Sequence, residues 1–516
     1  MYYQAGASHR ESGHLTHRGS GKDPFAVKRV PSRRVCIVGA GANGLATLKV
    51  LAETRQVQSG QWSMVAFEER DNVGGIWYPP WDTFIALPSF SLPGTRYPAP
   101  PTDDPPLTPL YDSLHTNLPH LLMAYRSFSF PPETPLLPTA SVVQKYLEDY
   151  ATHFGLLRYV RFCTRAERVF WDQDSKEWQV TLSTGERLMF DFVVVANGHN
   201  RKPRYPAAPG LQHWLESGRA IHSAWYRRPG DFAHHKKVMV VGGGPSAIDI
   251  CKDLKGVVPI LVHSLPGLTY EGVLKYPVDT ENYRKVDQIR EYHDDGTVLL
   301  MDGSTESDID LIMIGTGYEM SFPFLPQIKL GVPTLSPTLP NELYNSTYHV
   351  FPLAYHLFPL RGEFPSTSIA FTGLPTHVSP IPIFEDQAQA IVRVLEDPES
   401  LDCLSCGAEV VERMHMLIGQ EGTEDPLRIA KAWIRFGTLE PFKYRAELNA
   451  FARKDWTAPD WEVEFWTKKL ILLREWDEIE RSGKSEEWLK GVGLNGVDDW
   501  VGLCNKLINR SGAITR

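Results

Sequence analysis

The stretch "VCIVGAGANGLATLKVL", Val35 to Leu51, decides how the rest of the chain is read. A short apolar, β-rich run ends in glycines, and a helical spacing starts directly behind it, with Leu45, Leu48 and Leu51 expected on one side. Gly39, Gly41 and Gly44 stand in the order GxGxxG. In a strand–turn–helix each has its own task. The first allows the tight turn, the second lets a pyrophosphate approach the backbone, and the third lets helix and strand pack closely. The helix N-terminus then offers free N–H groups and a positive dipole end to the phosphate. A bare GxGxxG is a weak signal, but here the next strand, "WSMVAFEE", ends in carboxylates. Glu68, with Glu69 as its close competitor, can accept both ribose hydroxyls of an adenosine. The unit is βαβ, which implies a parallel sheet.

About 200 residues later "VMVVGGGPSAIDI", Val238 to Ile250, repeats the pattern with Gly242, Gly244 and Ala247. Ala is tolerated at the third position, and Pro245 suits a first helical turn. The following strand ends "LVHSLPG", with no carboxylate at Ser264. A carboxylate would repel a 2′-phosphate, so its absence favours NADP over NAD. The usual arginine is also missing just after Ser264. Arg227, Arg228 and Lys275 are the substitutes, and the sequence does not choose among them. Two such turns in one chain imply a flavin bound at one and a nicotinamide that reduces it at the other, with the cofactors carrying the redox chemistry. The expected fold is α/β, with two nested Rossmann-like dinucleotide-binding domains and a helical C-terminal extension. Its parts are a flexible leader (1–33), a discontinuous FAD domain (34–200 and 316–400), an inserted NADPH domain (201–315) and a mostly helical extension (401–516). The linkers "ANGHNRKP" and "IGTGYEMS" are candidate hinges.

The bulk properties fit this reading. A length of 516 residues calls for two or three domains. Apolar and charged fractions of 42% and 22% are those of an ordinary globular protein. A net charge of −9 gives no footprint for nucleic acid and no basic face for acidic membranes. No apolar run is long enough to cross a membrane, and the polar start has no signal-peptide core. Six cysteines, half of them in apolar stretches, point to a reducing, cytoplasmic setting rather than a disulfide framework. "CLSC", Cys403 and Cys406, lacks a second pair or a histidine, so loop cysteines without a role are expected and no metal site. A Pro-rich segment, Tyr78 to Pro138, reads as irregular. "SVVQKYLEDYATHFG" reads as a helix with Ser141 as N-cap and Gly155 as its stop. A β-meander with turns at "DQDSK" and "STGE" follows, and helices such as "RIAKAWIRFG" and "VEFWTKKLILLREWDEIERSG" fill the C-terminal region.

Several motifs together resemble the flavin-containing monooxygenases. "FEERDNVGGIWYP" resembles their flavin-binding stretch, with Gly74, Gly75 and Trp77 at the GGxW positions. "PLYDSLHTNLPHLLMAYRSFSFP" resembles their YxSLxTNxP segment. "GRAIHSAWY" is similar to FxGxxxHxxxY at Gly218, His222 and Tyr226, although Glu216 stands in the aromatic position and Trp214 lies two residues earlier. "IGTGY" matches the end of FATGY, and "SIAFTGLPTHVSPIPIFEDQAQAIVRVL" resembles the closing flavin segment. The resemblance spans roughly Arg34 to Leu395. It is nearest to soluble fungal-type members without a C-terminal membrane anchor.

The resemblance implies a reaction. NADPH reduces FAD, O₂ adds to give a C4a-hydroperoxyflavin, and a soft nitrogen or sulfur of a small molecule takes its distal oxygen, in the manner of an N,N-dimethylaniline monooxygenase (EC 1.14.13 type). By position Asn117 is the active-site asparagine. Gly39, Gly41, Gly44, Glu68, Gly75, Trp77, Asn117 and Gln387 are expected at FAD, with Gln387 beginning a helix that faces the ring. Gly242, Gly244, Ala247, Ser264, Arg227, Arg228 and Tyr226 are expected at NADPH. His222 is expected to be a structural linker residue. A homodimer and a role in secondary metabolism belong to the same expectation. The alternative is a Baeyer–Villiger monooxygenase acting on a ketone, which would need an arginine near the flavin, Arg96 or Arg126. The Tyr78 to Pro109 insertion is expected to shape the substrate pocket.

Overall fold

The computed structural model describes residues 32–78, 105–265 and 279–514. Residues 1–31 of the leader, Arg96 with most of the Tyr78 to Pro109 insertion, and Lys275 lie outside the described residues, and Arg33, assigned to the leader, opens the first strand.

The first glycine turn sits on a five-stranded sheet with the order Ile369–Phe371, Phe192–Val195, Arg33–Val38, Trp62–Phe67, Val160–Arg161, all parallel. Val35, Cys36 and Ile37 at its centre are wholly buried, as a near-continuous apolar strand covered on both faces should be. The helix behind the turn, α1 (Ala42–Ala52), is buried from Asn43 to Leu51. Leu45, Leu48 and Leu51 are all wholly buried, and the rest of the helix is buried with them. A second long helix from the far end of the fold covers the face that sequence alone would give to water.

Helix α2 (Ala140–His153) has Thr139, in extended conformation, as its N-cap. Ser141 lies inside the first turn, and its hydroxyl bonds that of Thr139 at 2.9 Å, so the predicted cap is two residues late. Gly155 ends the segment with φ +62°. The meander forms as read: Ala166–Asp172, Glu177–Leu182 and Arg187–Phe190 pair antiparallel.

The second turn sits on its own parallel sheet, ordered Tyr283–Val286, Ile260–Ser264, Lys237–Val241, Leu311–Ile314, Ala220–His222. Helix α3 (Pro245–Leu254) follows its glycines. The two linkers lie side by side, because Lys202–Pro203 pairs antiparallel with Tyr318–Glu319. His222 locks this junction. Its Nε2 donates to the Gly317 carbonyl at 3.0 Å and its Nδ1 accepts from the Ala224 N–H at 3.1 Å. Burial lowers its pKa to about 4, which keeps the neutral ring those two bonds require.

The closing helix α4 (Pro380–Glu396) packs along α1. Beyond it lie α5 (Cys403–Glu421), α6 (Glu440–Phe451), α7 (Asp460–Thr467), α8 (Lys469–Arg481) and α9 (Val497–Ile514). Cys403 and Cys406 belong to α5, not to a loop. "RIAKAWIRFG" is helical only to Ala432, after which Ile434–Phe436 runs alongside Thr376. "VEFWTKKLILLREWDEIERSG" breaks at Lys468 into α7 and α8. These helices bury Leu121, Leu122 and Leu136 against Phe465, Trp476 and Leu507. No described helix is long and apolar enough to cross a membrane.

Candidate active site

A cleft of about 1670 Å³ opens at the carboxyl ends of the first sheet. Its lining follows the strand order. Pro375 to Val378 lie beyond the Ile369–Phe371 strand, Ala196 to His199 beyond Phe192–Val195, and Gly39 to Asn43 beyond the central strand, without Ala40. Glu68 to Arg70 follow Trp62–Phe67, and Arg165 to Glu167 follow the edge strand. This is the crevice in which open α/β sheets bind ligands.

Glycine chemistry shapes the centre. Gly39 has φ +100°, and a Cβ there would stand 2.7 Å from the Ala196 carbonyl oxygen. A Cβ on Gly41 would meet the Gly75 Cα at 3.4 Å, so the GGxW turn abuts the phosphate turn. Arg70 fastens that second turn by donating to the carbonyls of Gly75, at 2.8 Å, and Tyr78. Gly44 does not line the cleft; it brings α1 against the strand, with space for no more than a hydrogen beside the Gly39 carbonyl.

Glu68 is 5% exposed. One carboxylate oxygen accepts the Ala40 N–H at 2.8 Å and the other the Arg70 N–H at 3.1 Å. Burial raises its pKa although both bonds and Arg70 favour the charged form. Each oxygen keeps a lone pair for a hydroxyl donor. Glu69 instead pairs with Arg201 at 2.7 Å. Asn43 adds a group that the glycine-centred sequence reading passed over. It lines the cleft, and its buried Oδ1 has no hydrogen-bond partner among the described residues. An unpaired buried acceptor costs about 1–3 kcal/mol, which a donor on a ligand relieves. His199, also missed, lines the cleft and is bonded to the Gly373 backbone. Its only sequence signal was its place just after a strand-terminal glycine. A glycine cradle, a ribose-type carboxylate and an orphaned acceptor fit FAD.

Of the residues expected at FAD, the cleft brings together Gly39, Gly41, Glu68, Gly75 and Trp77. Gln387 is corrected. The helix begins at Pro380, seven residues earlier, and Gln387 is wholly buried at the start of its third turn. Its Oε1 accepts the Gly373 N–H at 2.9 Å and its Nε2 donates to the Tyr444 hydroxyl at 2.9 Å. Pro380, Ile381 and Phe384 present the helix start to the cleft.

Asn117 is exposed, outside the cleft lining, on a strap that ties the two sheets together. Thr108 donates to the Ile76 carbonyl at 2.6 Å on the flavin side. Tyr111 donates to Asp249 at 2.8 Å and Ser113 to Asp253 at 2.5 Å, both on α3. The next residue, Leu118, packs with Met123 and Trp466, and Trp77 packs against the same cluster.

None of the seven residues expected at NADPH lines this cleft. Gly242 has φ +125°, and its missing side chain makes room for the Gly315 carbonyl, 2.3 Å from where a Cβ would stand. Ala247 packs against Gly315, and the space around Gly244 is open. Ser264 donates to the Asp287 carbonyl at 3.0 Å and Tyr226 to Asp253 at 2.9 Å, both from buried positions. Arg227 is turned onto the carbonyls of Ala224, Tyr226 and Thr108. Arg228 is exposed and paired with Asp112. At the aromatic position of the identifying motif, Glu216 faces the cleft, while Trp214 fills the core and donates to the His293 carbonyl at 2.9 Å. Arg126, the described arginine of the ketone alternative, pairs with Asp386 at 3.1 Å and stacks over Trp456.

Residues 102–267 match the family model described as flavin-binding monooxygenase-like. The chain is 33% identical over 390 residues to the flavin-containing monooxygenase FMO GS-OX5 of Arabidopsis thaliana, covering 72% of this chain and 75% of that protein. It is 28% identical over 426 residues to the flavin-containing monooxygenase ustF2 of Aspergillus flavus, covering 70% and 82%. The solved structure of S-allyl-L-cysteine S-oxygenase from Allium sativum is similar with a TM-score of 0.67 and 28% identity, covering 88% of this chain and 94% of that one. Cyclohexanone monooxygenase shares the fold alone, with a TM-score of 0.53 and 16% identity.

Proposed function

The chain belongs to the flavin-containing monooxygenases, and from that premise we propose an NADPH- and FAD-dependent enzyme that inserts one atom of O₂ at the sulfur or nitrogen of a small molecule. The observation that carries this reading is the crevice that runs from Glu68 past Gly39, Gly41 and Asn43 to Trp77, with glycines where a phosphate must approach and an acceptor left unpaired. FAD and NADPH, when bound, supply the electron and oxygen transfer set out for the resemblance. The chain's own residues do the rest. Glu68 receives the ribose hydroxyls, the start of α1 receives the pyrophosphate, and Asn43 receives a donor at the inner wall. Trp77, Ile381 and Phe384 would keep water from the far end, where a bound flavin would do its chemistry. The division into a flavin unit (34–200 with 316–400) and a nicotinamide unit (201–315) is part of this proposal and is supported by the separate strand membership of the two sheets. Sulfur is favoured over nitrogen because a relative of 28% identity is named an S-oxygenase. The ketone alternative is weakened by the commitment of Arg126 to Asp386 and Trp456.

Rapid-mixing absorbance tests the reading. The flavin-loaded protein is reduced with NADPH and mixed with oxygenated buffer. The expected result is a near-ultraviolet band, distinct from oxidised flavin, that persists until a sulfide or amine is added. Immediate reoxidation with release of hydrogen peroxide, or no reduction by NADPH, would overturn it.

A further inference from the structure

Three basic side chains, His377, Arg435 and Lys469, gather beyond the Ile369–Phe371 strand, and of the three only His377 lines the cleft, in a chain whose net charge is −9. Lys469 opens α8 with its ammonium 3.3 Å above the Trp466 ring, and no carboxylate among the described residues pairs with it. The more deeply buried lysines behave otherwise. Lys49 faces Glu53 and Glu385, and Lys237 faces Glu306. A partly buried ammonium without a counter-ion carries a desolvation cost that a docked anion offsets. Burial lowers the Lys469 pKa to about 8, which leaves it charged at neutral pH.

Two further basic groups stand nearby, the Arg435 guanidinium and the His377 ring, which is neutral at pH 7. His377 lines the cleft, is exposed, and holds φ +61°, a conformation that costs a non-glycine residue about 1 kcal/mol or more. No hydrogen bond to its ring is present among the described residues. Its pKa is lowered by burial first and then by the fields of Arg435 and Lys469, which places both of these within electrostatic reach of the His377 ring. Backbone pairing fixes Arg435 there independently. Thr376, beside His377, donates its N–H to the Ile434 carbonyl and accepts that of Phe436. Trp466 closes the set, because its Nε1 donates to the Thr438 carbonyl at 2.7 Å and its ring packs with Leu118, next to Asn117, and near Trp77. The cluster lies beyond the Ile369–Phe371 strand, at the opposite edge of the sheet from Glu68. If Glu68 holds the adenosine, this is the end that substrate enters.

We propose that the substrate carries an oxyanion, seated on Lys469 with His377 and Arg435 at its sides, and that the C-terminal extension thereby selects anionic sulfides or amines. This inference rests on the monooxygenase reading above. Lysine is a compact point charge and does not by itself distinguish a carboxylate from a sulfonate.

The test compares 3-(methylthio)propionate, its methyl ester and 2-(methylthio)ethanesulfonate in the flavin-loaded full chain with NADPH, using wild type, Lys469→Gln and Lys469→Arg. Wild type is expected to favour at least one anion over the ester by about tenfold in kcat/KM, mostly through KM, the size of one charge-assisted contact. Lys469→Gln should bring that ratio close to one, and Lys469→Arg should restore part of it. Carboxylate against sulfonate then identifies the oxyanion. Calorimetric titration of each anion into the same proteins reads binding without turnover, with a Kd about tenfold weaker in Lys469→Gln. Equal use of anion and ester by wild type, or equal losses on both in Lys469→Gln, would overturn the inference. If no probe is oxygenated, the rapid-mixing experiment above decides the monooxygenase reading separately, and the titration alone decides this inference: no anion binding, or equal Kd in wild type and Lys469→Gln, overturns it. A Lys469→Gln protein that does not fold is replaced by Arg435→Gln, read in the same two ways.

Discussion

At the residue scale the two glycine turns make separable claims. Gly39 and Gly242 both hold φ values open to glycine, and in both a carbonyl oxygen occupies the space of the missing Cβ. Alanine at either position meets strain of about 1–3 kcal/mol besides the clash. Gly39→Ala is expected to purify with little flavin, read as the ratio of visible to protein absorbance. Gly242→Ala should keep its flavin while its reduction by NADPH slows about tenfold or more. Equal loss of flavin from both would defeat the assignment of one cofactor to each turn. Asn43 stands between two of the fingerprint glycines, and its importance shows only in the buried oxygen that the fold leaves without a partner among the described residues at the cleft's edge.

At the scale of elements, a buried polar network explains why the C-terminal helices hold to the flavin side. Arg445 on α6 reaches Asp386 on α4 at 2.8 Å and also pairs with Glu462 on α7. Asn449 donates to the same Asp386 at 2.8 Å, and Arg126 pairs with it from the strap's continuation. Asp386 and Arg445 are 0% and 3% exposed, so neither charge can fall back on water. Arg445→Met is expected to cost about 3–5 kcal/mol, because it leaves the buried Glu462 carboxylate without its cation and Asp386 with Arg126 and Asn449 alone. Denaturant unfolding measures this, and a loss below about 1 kcal/mol would show that α6 is not the anchor. The same helices press Trp466 and Trp500 onto the segment around Asn117, with His120 packed edge-on at 4.2 Å from Trp500.

At the scale of the whole molecule, four buried histidines set the acid limit. Burial lowers His222 to about 4, and His120, His349 and His356 to about 3. Each lies below the value near 6.5 of an unfolded chain, so the unfolded state binds these protons first. The stabilisation is complete above pH 6.5 and is lost as pH falls toward 4, at about 1.4 kcal/mol per histidine for each pH unit. Urea midpoints at pH 7.5, 6.5 and 5.5 should decline steeply over the last interval, before most carboxylates titrate. A flat profile would mean that these rings charge in the folded state.

What the sequence determined by itself was local: two strand–turn–helix units, their nesting, the carboxylate at the end of the second strand, the meander and the helical character of the C-terminal region. Those features arise from apolar period, glycine spacing and turn chemistry among residues a few positions apart. The tertiary structure alone decided which side chains face the cleft. Gln387 is spent on Gly373 and Tyr444, Arg227 on the Thr108 strap, and Arg126 on Asp386, each through a partner remote in the chain or set by the fold. The basic cluster beside the cleft was equally invisible, because His377, Arg435 and Lys469 are distant in sequence and come near one residue, His377, only once the segment after Ala432 lies beside Thr376 and α8 opens under Trp466. Side-chain roles depend on long-range partners that leave no period in the sequence.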